Sequence, residues 1–158
     1  VLVGQGPCLY ETVQETHRLG VREQTLFPGP LPDDDVTALY QICDVFALPT
    51  GVAAGGQVEG FGLVFAEAGA YGKPVVAGRS GGVTDAVIEG ETGLLVEPDN
   101  PDAVADAVCA ILSDPALAQR LGKNGRHRVE EELNWRTFTQ RLVDAASVTG
   151  SGSGAGPT

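Results

Sequence analysis

Short apolar runs alternate with helical stretches along the chain, and that alternation predicts a parallel β-sheet with crossover helices. Residues 1–3 read as a strand. Residues 9–19 read as a helix stopping at Gly20, and 25–27 as a second strand closed by Pro28-Gly29-Pro30. Asp33, Asp34 and Asp35 then put acids and a cap at the start of a helix containing Val36, Leu39, Tyr40 and Ile42, where the helix dipole favours negative charge. A third strand over 44–48 ends at Pro49-Thr50, and a Gly- and Ala-rich stretch, 51–57, reads as a mobile loop. Residues 63–71 have the Ala, Leu and Glu content of a helix and end at Gly72-Lys73-Pro74. A buried strand at 74–77, a loop at 78–82, a short helix at 83–88, a turn at 90–93 and a strand at 94–96 follow. Pro101 opens an amphipathic helix with Val104, Val108, Ile111 and Leu112 on one face, and two more helices cover about 115–132 and 135–146.

One segment of this pattern carries chemistry. Glu59 and Glu67 stand eight positions apart, and between them Gly60-Phe61-Gly62 leads into the helix that starts at Leu63. The glycines allow a tight, bare backbone, so amide N–H groups and the positive helix end face any anion in front of residues 60–63. Glu59 falls just outside the helix and Glu67 about a turn inside, which lets one carboxylate face a sugar beside the phosphates and the other a ribose. Loops at the carboxyl ends of strands are where ligands bind in such sheets.

The spacing Glu-x7-Glu, followed by Ala68, Gly72-Lys73-Pro74-Val75-Val76-Ala77 and Ser80-Gly81-Gly82, resembles the donor domain of retaining GT-B glycosyltransferases. The resemblance runs from Val3-Gly4-Gln5-Gly6-Pro7 through Asp44-Val45-Phe46-Ala47-Leu48-Pro49 and Thr92-Gly93-Leu94-Leu95-Val96 to Trp135, with five motifs agreeing in order and spacing. Within that family, Val58-Glu59-Gly60-Phe61-Gly62 together with Ala77-Gly78-Arg79-Ser80-Gly81-Gly82 looks most like the bacterial mannosyltransferases acting on phosphatidylinositol mannosides. The resemblance implies an α/β, Rossmann-like three-layer α/β/α parallel sheet, the carboxyl-terminal half of a GT-B fold. It also implies retaining, metal-independent transfer from a nucleotide-diphosphate sugar, GDP-mannose or a UDP-sugar, with no cofactor and no metal ligands. By the same resemblance Glu59 is the catalytic residue, orienting the transferred sugar, and Glu67 binds the ribose hydroxyls. Gly60, Phe61, Gly62 and Leu63 contact the donor, and Pro30 and Leu31 offer backbone contacts to the base. The bland alternatives are that Glu59 is a charge at a helix end, Glu67 a solvated helical residue and Pro30-Leu31 a plain turn. Arg79 is either a phosphate ligand or part of an ordinary strand-to-helix connection.

Composition narrows the field. At 158 residues with 42% hydrophobic content the chain can form one ordinary domain, expected over 1–149, with a disordered Gly/Ser-rich tail at 150–158. A whole GT-B enzyme needs two domains of roughly 150–200 residues each. The absence of methionine and the opening Val1-Leu2-Val3 therefore suggest the carboxyl-terminal part of a larger protein. Its lipid or small-molecule acceptor would be bound by the missing amino-terminal domain, and two cationic diphosphate ligands expected from the family would lie upstream. A net charge of −11 with no basic run argues against nucleic acid. Cys8, Cys43 and Cys109 are widely spaced, as expected of reduced, buried thiols in the cytoplasm. No apolar run has membrane-spanning length, so any peripheral contact at the inner membrane face would come from the missing half. His17 and His127 read as surface residues and Trp135 as packing. Two other functions compete: a non-catalytic nucleotide-sugar-binding module of the same fold, and an NAD-dependent oxidoreductase domain. Gly4-Gln5-Gly6-Pro7 supports the oxidoreductase weakly, because it lacks the third glycine and the downstream acid.

Overall fold

A computed structural model describes residues 1–52, 56 and 59–150; Val58, much of the 51–57 stretch and residues 151–158 lie outside the described residues. The chain forms two compact units that divide after Ile42.

The first unit holds helix α1, Leu9–Arg18, a 3-10 turn, Arg22–Gln24, and helix α2, Asp33–Ile42. Gly20 takes a φ of +71° just past α1, the left-handed conformation that stops a helix at little steric cost to glycine. All three expected acids fall in the first turn of α2, and Tyr40 on that helix is buried. The two strands expected at 1–3 and 25–27 do not form as such. The Leu2 amide donates to the Leu26 carbonyl at 2.8 Å and the Gly4 amide to Gly29 at 2.9 Å, which leaves one parallel bridge between Val3 and Gly29. Pro28 has no N–H to return to the 1–3 segment, so the ladder cannot extend.

The second unit is a three-stranded parallel sheet in the order β1-β2-β3, with β1 at Phe46–Leu48, β2 at Val75–Gly78 and β3 at Gly93–Val96. Phe46 pairs with Val75, and Val75 with Gly93. Every residue of central β2 is buried. Successive side chains point to opposite faces, so both faces must be covered, and the all-apolar Val-Val-Ala run is the sequence mark of that burial. On one face Val76 and Val96 pack with Ala107 and Ile111 of α5, Pro101–Ser113, and Leu121 of α6, Pro115–Glu131. On the other, Val75 lies with Phe65 and Gly69 of α3, Leu63–Ala70, and with Ala86 of the short α4, Val83–Ala86. The result is the expected α/β/α layering. Helices α5 and α6 are both capped: Asn100 accepts the Ala103 amide at 3.1 Å, and Asp114 accepts those of Ala116 and Leu117 at 3.0 and 3.1 Å.

Helices α3 and α6 meet backbone to backbone. A Cβ on Gly122 would overlap the Gly72 carbonyl oxygen, and one on Gly69 would lie 3.3 Å from that of Gly125. Arg128 of α6 then donates to the carbonyls of Ala86 at 2.6 Å and Asp85 at 2.5 Å, holding the carboxyl end of α4, where a cation is favoured. Three expectations are corrected here. Leu112 is 54% exposed and Ala107 takes the inward position instead. Cys8 and Cys109 are exposed and Cys43 only half-buried: Cys8 and Cys43 stand just outside the ends of α1 and α2, and Cys109 lies off the buried face of α5. Trp135 opens α7, Trp135–Gly150, 83% exposed, its ring edge-on to Phe138 at 6.1 Å instead of in the core. His17 and His127 are on the surface, as expected.

Candidate functional site

Three parallel strands place three connections at one edge of the second unit: the segment after β1 that ends at Glu59–Gly62, the turn Arg79–Gly82 after β2, and Glu97 after β3. Two of them are locked together. Gly82 donates its amide to the Glu59 carbonyl at 3.2 Å, and its α-carbon lies so close to Gly60 that a Cβ there would overlap the Gly60 carbonyl oxygen. On the other side, Gly62 caps α3 with φ +77° and ψ +62°, and a Cβ on it would sit 2.5 Å from the Phe65 ring. Phe65 is 3% exposed and stacks edge-on against Phe46 of β1 at 5.9 Å. The bare Gly60-Phe61-Gly62 backbone is therefore held between a core aromatic and a second loop.

Glu59 is half-buried, and its Cγ lies 3.5 Å from where a Gly62 side chain would begin, so the stem of the side chain lies beside the helix entry. Leu63 and Glu67 are both exposed and four positions apart, hence on one solvent-facing stripe of α3, while Phe65, Ala68 and Gly69 face inward. Glu59, Gly60, Phe61, Gly62, Leu63 and Glu67 thus lie along one loop-helix junction at the carboxyl edge of the sheet. Pro30, exposed, and Leu31, half-buried, belong to the first unit, in the turn between Gly29 and α2.

Arg79 is engaged in ion pairs on the surface of the second unit. Its guanidinium pairs with Glu89 at 3.0 Å and lies 3.9 Å from Glu97, and its amide continues the sheet by donating to Val96 at 2.8 Å. Glu89 also accepts the Leu95 amide at 2.9 Å. These ion pairs are half-exposed, so they hold the guanidinium beside the ends of β2 and β3 while leaving it open to solvent. Two features escaped the sequence reading. The Thr50 and Ser80 hydroxyls, at the ends of β1 and β2, are buried without a hydrogen-bond partner among the described residues. The contact of Gly82 on Gly60 joins positions 22 apart in sequence, and only the doublet Gly81-Gly82 hinted at it. Among the described residues no group of three or more His, Cys, Asp and Glu is placed to hold a metal, and no helix is long and apolar enough to cross a membrane.

The glycosyl transferases group 1 family matches residues 1–128. The chain is 41% identical over 147 residues to the GDP-mannose-dependent alpha-(1-6)-phosphatidylinositol monomannoside mannosyltransferase of Mycolicibacterium smegmatis, covering 92% of this chain and 38% of that protein. Among solved structures, sucrose-phosphate synthase from Thermosynechococcus elongatus superposes with a TM-score of 0.75 at 36% identity, covering 96% of this chain and 38% of the other. Anabaena HepE in complex with UDP-glucose superposes with a TM-score of 0.79 at 28% identity, covering 93% and 40%. The chain spans about two fifths of the length of the relatives it matches.

Proposed function

Since this chain belongs to the glycosyl transferases group 1 family, we propose that it is the donor-binding half of a retaining, metal-independent mannosyltransferase that uses GDP-mannose. The observation that carries the reading is the position of the two acidic residues: Glu59 with its Cγ beside Gly62 at the amino end of α3 and Glu67 one turn along it, both at the sheet edge where ligands of α/β folds bind. In this reading the diphosphate lies before the amides of residues 60–63, the ribose hydroxyls bond Glu67, and Glu59 orients the transferred sugar. Pro30 and Leu31 supply backbone contacts to the base. An amide cluster at a helix end stabilises the departing diphosphate with groups already oriented, at no reorganisation cost during reaction. The acceptor, a phosphatidylinositol mannoside in the M. smegmatis relative, would be held by the rest of the longer protein, at the cytoplasmic face of the membrane.

The roles of the two carboxylates separate kinetically. Glu67→Gln in the full-length enzyme keeps the side-chain volume but loses a charged acceptor, and weakens donor binding by about 1.5–3 kcal/mol. Glu59→Gln lowers kcat instead, since its partner gains positive charge at the anomeric carbon in the transition state. Calorimetry with GDP-mannose and a coupled nucleotide-release assay measure both. An unchanged kcat for folded Glu59→Gln returns that residue to the role of a helix-end charge. The UDP-glucose complex of the Anabaena neighbour favours a second donor reading, a UDP-sugar; parallel titrations with GDP and UDP decide between them. Donor binding without any turnover in the full-length protein favours the non-catalytic module.

A further inference from the structure

The Glu59–Gly62 segment meets a second loop that donor binding as proposed above does not require. Gly82 reaches it in two ways, by an amide that donates to the Glu59 carbonyl at 3.2 Å and by an α-carbon seated against the Gly60 carbonyl. The seat is rigid on the Gly82 side. Val83, next in sequence, is fully buried, and its amide donates back to the Ser80 carbonyl at 3.2 Å. The Gly82 carbonyl accepts the Asp85 amide at 3.0 Å, and Arg128 of α6 holds the carbonyls of Asp85 and Ala86. Among the described residues the Glu59 side has no comparable anchor of its own, for Gly60 is exposed and nothing lies within 4 Å of where its side chain would be. Gly62 is anchored separately by Phe65. Among the described residues, the strong constraint on the peptide joining Glu59 to Gly60 is therefore Gly82.

We infer that Gly82 is a positioning residue for Glu59: it clasps the Glu59–Gly60 peptide and so sets the direction from which the Glu59 carboxylate meets the transferred sugar. The inference rests on the donor-site reading given above. It also explains why glycine is required at a position whose φ is −82°, open to any residue on backbone grounds. The demand comes from contact across the loops, since any side chain would push the Gly60 carbonyl away. A displacement near 1 Å at a reacting group costs on the order of 100-fold in rate, whereas the nucleotide end of the site, on α3 and held by Phe65, stays in place.

The test uses the full-length enzyme with GDP-mannose as donor and a phosphatidylinositol mannoside as acceptor. Gly82→Ala lowers kcat about 100-fold while the dissociation constant for GDP, or for UDP in a parallel titration, stays within about threefold of wild type. Gly93→Ala is the structural control: a Cβ at Gly93 would lie 2.7 Å from the Val75 carbonyl oxygen, at the opposite end of the strands, so it lowers Tm yet keeps kcat. If Gly82 acts through Glu59, the double variant Gly82→Ala/Glu59→Gln is no slower than the slower single variant. A kcat near wild type in folded Gly82→Ala, fully additive losses, or an equal loss in Gly93→Ala overturns the inference. An unchanged kcat in Glu59→Gln alone overturns the donor-site reading instead, which keeps the two failures apart. Where Gly82→Ala does not fold, amide hydrogen exchange in the wild-type protein decides. Protection of the Gly82 amide comparable to that of β2 supports the clasp, and exchange as fast as that of a solvated loop amide removes it.

Discussion

Gly62 and Cys43 show how a single position reports its surroundings. Gly62 combines a left-handed φ of +77° with a ring 2.5 Å from any added Cβ. Gly62→Ala thus meets backbone strain and overpacking together, and should destabilise the second unit by about 3 kcal/mol in urea denaturation. Gly6→Ala, with nothing within 4 Å and no positive φ, should cost only a few tenths of that. The Cys43 thiol is pushed above its ordinary range, chiefly by burial, with Lys73 pulling the other way. Its thiolate is scarcer at a given pH than in the unfolded chain and the residue is half-buried, so Cys43 should alkylate with iodoacetamide at about pH 8 more slowly in the folded protein than in urea. The sign for stability follows. The folded state prefers the neutral thiol, so its contribution is full below the unfolded thiol's range and is lost as the pH climbs through the raised folded value. Unfolding midpoints followed across alkaline pH in wild type and Cys43→Ala check this.

At the scale of elements, most of what was legible in the sequence was capping and periodicity. Pro101 and Pro115 stand at the first positions of α5 and α6, and Asn100 and Asp114 before them accept the first-turn amides. Asp114→Ala leaves two first-turn amides of α6 without their acceptor and should cost about 1 kcal/mol, measured by thermal or chemical unfolding. The pairing of α3 with α6 was not legible. Gly69, Gly72, Gly122 and Gly125 read individually as helix weakeners or turns, and only side by side do they form a seam narrow enough for backbone contact. Gly122→Ala should therefore destabilise the second unit by about 3 kcal/mol, the opposite of the gain that Gly-to-Ala brings in an open helix. Because α6 also carries Arg128 onto α4, the same change should raise amide exchange at residues 85–86.

For the molecule as a whole, a chain that covers 38% of a mannosyltransferase relative is expected to bind nucleotide and not to transfer sugar. Calorimetry should detect GDP binding by the 158-residue chain, and radiolabelled GDP-mannose should pass no mannose to a phosphatidylinositol mannoside; robust transfer would show that the catalytic architecture is placed wrongly. What the sequence determined by itself was whatever depends on neighbours along the chain. Buried β2, the order of strands and helices, the caps, and the Glu59-to-Glu67 spacing on a loop-helix junction are all set by local periodicity, propensity and turn chemistry. Tertiary structure alone decided whatever depends on partners distant in sequence. The 1–3 and 25–27 segments fell short of strands because Pro28 has no amide to return, and Trp135 stayed exposed because a helical position names a face without naming what covers it. Arg79 went to Glu89 and Glu97, carboxylates 10 and 18 positions away, because folding brought them nearer than any other anion. Gly82 came to rest on Gly60 for the same reason: parallel strands bring their carboxyl ends to one edge, and contacts between the loops there are written in the sheet's topology and in neither loop.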